Sequence, residues 1–328
     1  MRMSDTPSYE QRIDLSELTT SMKALEGEIN KVIIGQAEML HLLMAAILAD
    51  GHVLIEGVPG VAKTLTSRLL AKSMQVPFSR IQFTPDLMPS DVLGTNIFNP
   101  GAGRFEFKKG PIFGSLVLID EINRAPAKTQ SALFEVMEER QVTIDGVSHT
   151  MMQPFMVIAT QNPIEQEGTY RLPEAQLDRF LFKIVVPYPN EEQEVQIIQR
   201  FHQWGNTNVL DAVQAVINAN TIIHLRKLIK QIVVEEKLIQ FIAKIIIATR
   251  NDKSIYLGAS PRASLALLNA AKAFAALAGR DFMVPDDIIN VAKPVLRHRI
   301  VLTPEREMEG VCEDEVIDKL IHMIEVPR

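Results

Sequence analysis

From Gly51 to Pro187, short β-branched runs alternate with amphipathic stretches, the pattern of a parallel sheet covered by helices on both faces. His52-Val53-Leu54-Ile55 predicts a buried strand. Ser79-Arg80-Ile81-Gln82, Ser115-Leu116-Val117-Leu118-Ile119, Phe155-Met156-Val157-Ile158-Ala159 and Phe182-Lys183-Ile184-Val185-Val186 predict four more, giving a five-stranded sheet of ordinary size. Two segments break the alternation. Asn96 to Phe107 carries Asn99-Pro100-Gly101-Ala102-Gly103 between aromatic flanks, and Asp145-Gly146, a pair that favours positive φ, separates Val142-Thr143-Ile144 from Val147-Ser148-His149. Both predict small hairpins that project from the sheet.

Pro187-Tyr188-Pro189-Asn190 marks a change of character and is the expected domain boundary, with an α/β core over 1–190 and a linker and helical domain over 191–328. Beyond it, Leu238, Ile239, Phe241, Ile242, Ile245, Ile246 and Thr249 recur at helical spacing. A second long helix is predicted from Arg262 to Gly279, whose glycine suits a left-handed cap, and Pro285 starts another. Ala37 to Ala49 reads as a helix ahead of the first strand.

Composition narrows the choices. With 328 residues and 47% hydrophobic content the chain fills two cores, which excludes disorder throughout. The net charge of −6, without a basic block, argues against a polyanion such as nucleic acid as partner. The single Cys312 excludes an intramolecular disulfide and a multi-thiolate metal site; a structural thiol in a reducing compartment is the expectation. Met1-Arg2-Met3-Ser4-Asp5 opens no apolar export signal. Apolar runs such as Leu42 to Ala49 fall short of the roughly 20 residues a bilayer needs, so a cytoplasmic protein without a membrane role is expected.

The chemistry concentrates at predicted strand ends. Gly57-Val58-Pro59-Gly60-Val61-Ala62-Lys63-Thr64 follows the first strand and precedes a helix from Leu65 to Ser73. In such a loop backbone N–H groups converge on phosphate oxygens, Lys63 neutralises β/γ charge and Thr64 offers a hydroxyl to Mg²⁺. The glycine usual before the lysine is Ala62 here. Asp120 and Glu121 end a buried strand where open α/β sheets place ligands. Asp120 would hold Mg²⁺ through water, and Glu121 would polarise an attacking water, although two acids at a solvated strand end can be chance. Asn162 tips a further strand, where an amide can bond both γ-phosphate and water; a turn-forming Asn before Pro163 is the alternative.

Together with Asp120-Glu121-Ile122-Asn123-Arg124-Ala125-Pro126, Ala159-Thr160-Gln161-Asn162-Pro163 and Leu172-Pro173-Glu174-Ala175-Gln176-Leu177-Asp178-Arg179-Phe180, the loop resembles the MoxR family of AAA+ ATPases from about Ile34 to Leu302. The resemblance implies an α/β P-loop core whose five-stranded parallel sheet is sandwiched by helices, followed by a smaller all-α lid. It implies ATP and Mg²⁺ as cofactors, Lys63 and Thr64 as Walker A, Asp120 and Glu121 as Walker B, and Asn162 as sensor 1. Family members tolerate alanine at the place of Ala62. Arg179 matches the arginine finger that reaches a neighbouring subunit's γ-phosphate, with Arg171 and Arg124 as rivals; pairing with Asp178 or Glu174 on its own helix is the other reading. Gly258-Ala259-Ser260-Pro261-Arg262 resembles sensor 2, which puts Arg262 on the γ-phosphate of its own subunit. Ile33-Ile34-Gly35-Gln36 resembles the segment bordering adenine, or is a plain turn, and Leu65 continues the loop into its helix. The hairpins match inserts that face a pore, where Phe98, Phe105 and Phe107 grip a client or else pack on the hairpins' own base.

The implied function is ATP-driven remodelling or maturation of a partner protein, including metal or cofactor insertion, by a homo-oligomeric ring, hexameric in such assemblies. A von Willebrand A domain partner would be a separate protein. An ATP-driven nucleic-acid motor and a small-molecule phosphotransferase are the alternatives; charge argues against the first, and water-activating residues without an acceptor motif against the second.

Overall fold

The structure, a computed structural model, describes residues 13–162, 170, 172–204 and 208–327. Its elements run α1 (Ser16–Asn30), α2 (Ala37–Leu48), β1 (His52–Gly57), α3 (Lys63–Ser73), β2 (Phe78–Gln82) and α4 (Pro89–Leu93). The first hairpin, β3 (Gly94–Asn99) and β4 (Arg104–Lys109), precedes β5 (Leu116–Asp120) and α5 (Ala127–Glu139). The second, β6 (Gln141–Ile144) and β7 (Val147–Thr150), precedes β8 (Met156–Gln161), α6 (Glu174–Leu177) and β9 (Phe180–Val186). Helices α7 (Glu191–Trp204), α8 (Ala219–Lys230), α9 (Glu236–Asn251), α10 (Pro261–Leu277) and α11 (Pro285–Leu296) follow, then α12 (Pro304–Met308) and α13 (Glu313–Met323). A small strand pair, β10 (Ile255–Leu257) with β11 (Val301–Leu302), braces the helical part.

The main sheet is ordered β2-β5-β8-β1-β9 and every pairing in it is parallel. Buried on both faces, β5 and β8 read as continuous apolar runs because helices cover each side. Parallel register brings Ile55 opposite Thr160 and Gln82 opposite Asp120, so all five strands end on one edge, and the chemistry-bearing loops leave from that edge. Asp145 at φ 49° and Gly146 at φ 80° make the tight turn their pair predicted. Gly279, at φ 73° just past α10, is the expected left-handed cap.

One apolar cluster runs from α1 and α2 through one face of the sheet into α8, α9, α10 and α11. Polar ties reinforce that continuity. Arg299, 8% exposed, pairs through Nε with Asp178 Oδ1 at 2.7 Å and donates to the Leu181 carbonyl at 3.1 Å and to Phe180 O. Arg297 binds Asp314 at 2.9 Å and reaches Lys183 O at 3.3 Å. Cys312 does not sit in the core as a structural thiol would; it is exposed at the start of α13.

His52 opens β1 inside the protein. Its Nδ1 accepts the Val157 N–H at 2.9 Å and its Nε2 faces Met137 O at 3.1 Å, so the neutral ring donates there and joins β1, β8 and α5. Burial, then the nearby Arg140 charge, lowers its pKa to about 3. Buried His298, bonded to Phe180 O at 3.0 Å, is pushed well below the ordinary value by burial and then by Arg299. Each ring folds neutral, so its contribution is complete above pH ~6.5 and drains away as pH falls toward the folded value, at about 1.4 kcal/mol per pH unit for one proton. Denaturant unfolding between pH 8 and 4.5 should show this acid slope, and His52→Gln should make it shallower by about one proton; an unchanged slope would mean His52 does not carry it.

Candidate nucleotide site

The turn from β1 to α3 is built for an anion. Gly60 has φ 90°, and Ala62, at φ 59°, occupies the left-handed region, which explains why glycine is usual there. α3 begins at Lys63 with no side-chain cap on its first turn, which leaves its N–H groups facing the loop's concavity. Lys63 Nζ donates to Gly57 O at 2.6 Å, folding the ammonium back over the loop. A Cβ on Gly57 would lie 2.9 Å from Val186 O, so β9 packs too closely for any larger residue.

A cavity of about 380 Å³ opens beside this loop, lined by Pro59, Gly60, Ala62, Lys63, Thr64, Leu65, Arg80, Gln82, Asp120, Glu121, Thr160 and Asn162. Strand ends deliver the polar groups: Asp120 from β5, Thr160 from β8 with Asn162 just beyond it, Arg80 and Gln82 from β2. Asp120 Oδ1 accepts from Thr160 Oγ1 at 3.1 Å, and its Oδ2 pairs with Arg80 Nε at 2.7 Å. Glu121, at φ 58°, turns away from its strand, and its N–H donates to Thr160 Oγ1 at 3.1 Å. Its Oε2 accepts from Gln82 Nε2 at 2.9 Å and pairs with Arg124 Nε at 2.9 Å. Arg124, a rival for the trans role, is thus a partner of its own chain's Glu121, whereas Arg171 lies outside the described residues.

A second cavity, about 320 Å³, continues from the first across Gly60, Ala62 and Leu65. Val32, Ile33, Ile34, Val61, Pro189, Ile197, Phe201, Trp204 and Val209 make it apolar, with Gln36 and Arg200 at its margin. An apolar cavity joined to a polar chamber is the arrangement that takes a ligand with an apolar ring at one end and charged groups at the other. Ile34 lines the apolar cavity, and so does Val61, which the sequence placed with the phosphate loop, whereas Gly35, Gly57 and Val58 line neither cavity. Gly35 turns the chain at φ 76°, where a Cβ would meet the Gln193 side chain at 2.6 Å. The sequence reading did not include the α7 wall. Its signal is the spacing Ile197, Phe201 and Trp204 on one helix face. Arg80 and Gln82 were likewise unassigned, although alternation along β2 puts both on one face.

Two arginines lie elsewhere. Arg179 Nη1 donates to Phe134 O and its Nε is 3.9 Å from Glu138 Oε2. Arg262, expected over the γ-phosphate of its own chain, instead binds Glu138 Oε1 through Nη2 at 2.9 Å and does not line the phosphate cavity. The reason is where α10 starts: its cap residue Ser260 donates to Asp178 Oδ2 at 2.8 Å, which seats this end of the lid against α5 and the start of β9. Asp178 is taken by Ser260 and Arg299, so it does not pair with Arg179.

The hairpins meet each other. Phe107 stacks on His149 at 4.1 Å between centroids, and Asn96 bonds Asp145, whereas Phe98 and Phe105 form an exposed pair at 5.4 Å. Phe107 is therefore a packing residue, and the other two are open to solvent.

The model of the ATPase family associated with various cellular activities matches residues 52–182, and that of the AAA lid domain residues 247–320. Chaperone MoxR1 of Mycobacterium tuberculosis is 43% identical over 310 residues, covering 92% of this chain and 81% of that protein. The chain belongs to the MoxR family of AAA+ ATPases. Protein YeaC of Bacillus subtilis is 46% identical over 307 residues, 93% of this MoxR-family chain and 94% of its own. A crystal structure of an ATPase candidate from Cytophaga hutchinsonii superposes with a TM-score of 0.89 at 42% identity, covering 96% of this chain and 97% of the other. As a MoxR-family member the protein is an AAA+ ATPase by family. Among the described residues no helix is long and apolar enough to cross a membrane.

Proposed function

We propose that this protein hydrolyses ATP with Mg²⁺ in a homo-oligomeric ring, that arginines of one subunit complete the site of the next, and that the cycle remodels a protein client. The observation that carries the reading is the separation just described. Lys63, Thr64, Asp120, Glu121 and Asn162 share one chamber, while Arg179 and Arg262 gather outside it. Arg80, which lines the chamber, is paired with Asp120 at 2.7 Å, and Arg124 with Glu121 at 2.9 Å, so a further guanidinium for a γ-phosphate there would come from a neighbour.

The donor set fits Mg²⁺. The Thr64 hydroxyl and Asp120 carboxylate are hard oxygens facing one cavity, and Mg²⁺ is usually held by one or two such groups together with phosphates and water. When bound, the cation would neutralise charge building on the phosphate oxygens. Lys63 and the first-turn N–H groups of α3 bind the phosphates. Glu121 takes up proton density from the attacking water, while Asn162 fixes that water's direction. Arg179 supplies a planar, permanently charged donor fork to the leaving charge. The base lies against Ile34, Phe201 and Trp204.

The boundary near residue 190 separates the core from a lid that moves with nucleotide, the two family matches falling on either side of it. The exposed Phe98 and Phe105 face the client, and a von Willebrand A partner and residence in the cytoplasm complete the reading. Neither a nucleic-acid motor nor a phosphotransferase is favoured by any observation of this structure. ATP turnover per subunit should rise with protein concentration and plateau on assembly, with light scattering reporting the oligomer. Turnover per subunit that is constant from monomer to oligomer would end the proposal.

A further inference from the structure

We propose that Glu138 is a positioning residue that holds Arg179 and Arg262 together as one pair of guanidinium groups for the nucleotide of an adjoining copy. The inference rests on the trans-arginine reading above and adds to it a residue that touches neither nucleotide nor metal. The two arginines come from different parts of the fold, Arg179 between α6 and β9 and Arg262 from the first turn of α10. Two like charges side by side repel, so nothing intrinsic to them favours a shared direction. One carboxylate between them reverses that preference, and Glu138 offers one oxygen to each: Oε1 to Arg262 at 2.9 Å and Oε2 to Arg179 at 3.9 Å. Phe134, one turn earlier on α5, accepts from Arg179 Nη1, so a single helix face grips that side chain at two points.

The backbone beneath the pair is joined independently. Ser260 binds Asp178 at 2.8 Å, and Arg299 binds the same carboxylate at 2.7 Å, tying the residue before Arg179 to the cap of the helix that carries Arg262. Glu138 therefore directs the two side chains without holding the domains together. It is 40% exposed, and half-exposed ion pairs add little to stability. The same helix starts beside the phosphate chamber of its own chain, where Gln130 Nε2 donates to Ile122 O at 3.2 Å and Ala125 O at 3.1 Å. One rigid element thus spans from the Asp120-Glu121 segment to the arginine pair.

The test uses the full-length chain with Glu138→Gln. ATP affinity, melting temperature and oligomer mass should match wild type, while kcat falls by about 10²-fold, the loss a misplaced group can cause. Mixing this variant with Lys63→Ala subunits, which cannot bind nucleotide but keep their arginines, should restore turnover, because each Glu138→Gln site then meets an intact pair next door. Arg179→Ala mixed with Lys63→Ala is the reference. If that reference mixture stays inactive, the trans reading falls and the role of Glu138 falls with it. If the reference is restored while the Glu138→Gln mixture is not, or if Glu138→Gln alone turns over normally or fails to assemble, the proposal for Glu138 is overturned and the trans arginine stands.

Discussion

Arg179→Ala should lower kcat by about 10³–10⁵-fold, the size of effect that a guanidinium delivered in trans has on phosphoryl transfer. ATP affinity should hardly change, because Arg179 is absent from the walls of its own chain's phosphate cavity. Steady-state phosphate release measures the first quantity and titration with a fluorescent nucleotide the second. Arg179 also braces α5 through Phe134 O, so Arg179→Lys is a needed companion. It keeps the charge but loses the planar fork, and it should remain defective while folding normally. Equal losses of binding and turnover in both variants would assign Arg179 to the fold instead of the chemistry.

The second large effect belongs to Glu121. Glu121→Gln preserves shape, and the amide can still accept from Gln82, so the chamber keeps its geometry. What disappears is the capacity to take a proton from water, and turnover should fall by about 10²–10⁴-fold with ATP still bound. Retention of nucleotide on a desalting column, together with absent phosphate release, is the expected pair of results. Normal release would remove Glu121 from its assigned part. Because the variant would stall with nucleotide in place, it is also the form in which a client should remain attached long enough to be identified.

The sheet was legible because β1, β5, β8 and β9 are largely buried apolar runs rich in β-branched residues, whereas β2, with Ile81 alone buried, carried the weakest signal. Edges were displaced by one or two positions: Phe78, before the expected start at Ser79, pairs with Leu116 in the structure. The loop from Gly57 to Thr64 was legible because phosphate binding needs glycine geometry and a lysine at fixed spacing. Arg262 shows the limit. A motif can say that an arginine opens a helix, but whether that helix leans over its own site or away from it depends on Asp178, Ser260 and Arg299, which come together only through tertiary packing. Arg80 and Glu138 were hidden for the same reason, since an ion pair spanning 40 or 124 positions leaves no local signature. The face of α7 that lines the apolar cavity had a signal, an amphipathic stripe, but stripes on helices usually mean packing.

Ala62 holds a left-handed backbone without the freedom of glycine, at a cost of roughly 1–2 kcal/mol. A search pattern spelled in letters, demanding glycine ahead of the lysine, passes over this chain, whereas one spelled in dihedral angles finds it. What the loop requires here is a bend, and alanine as well as glycine can make it.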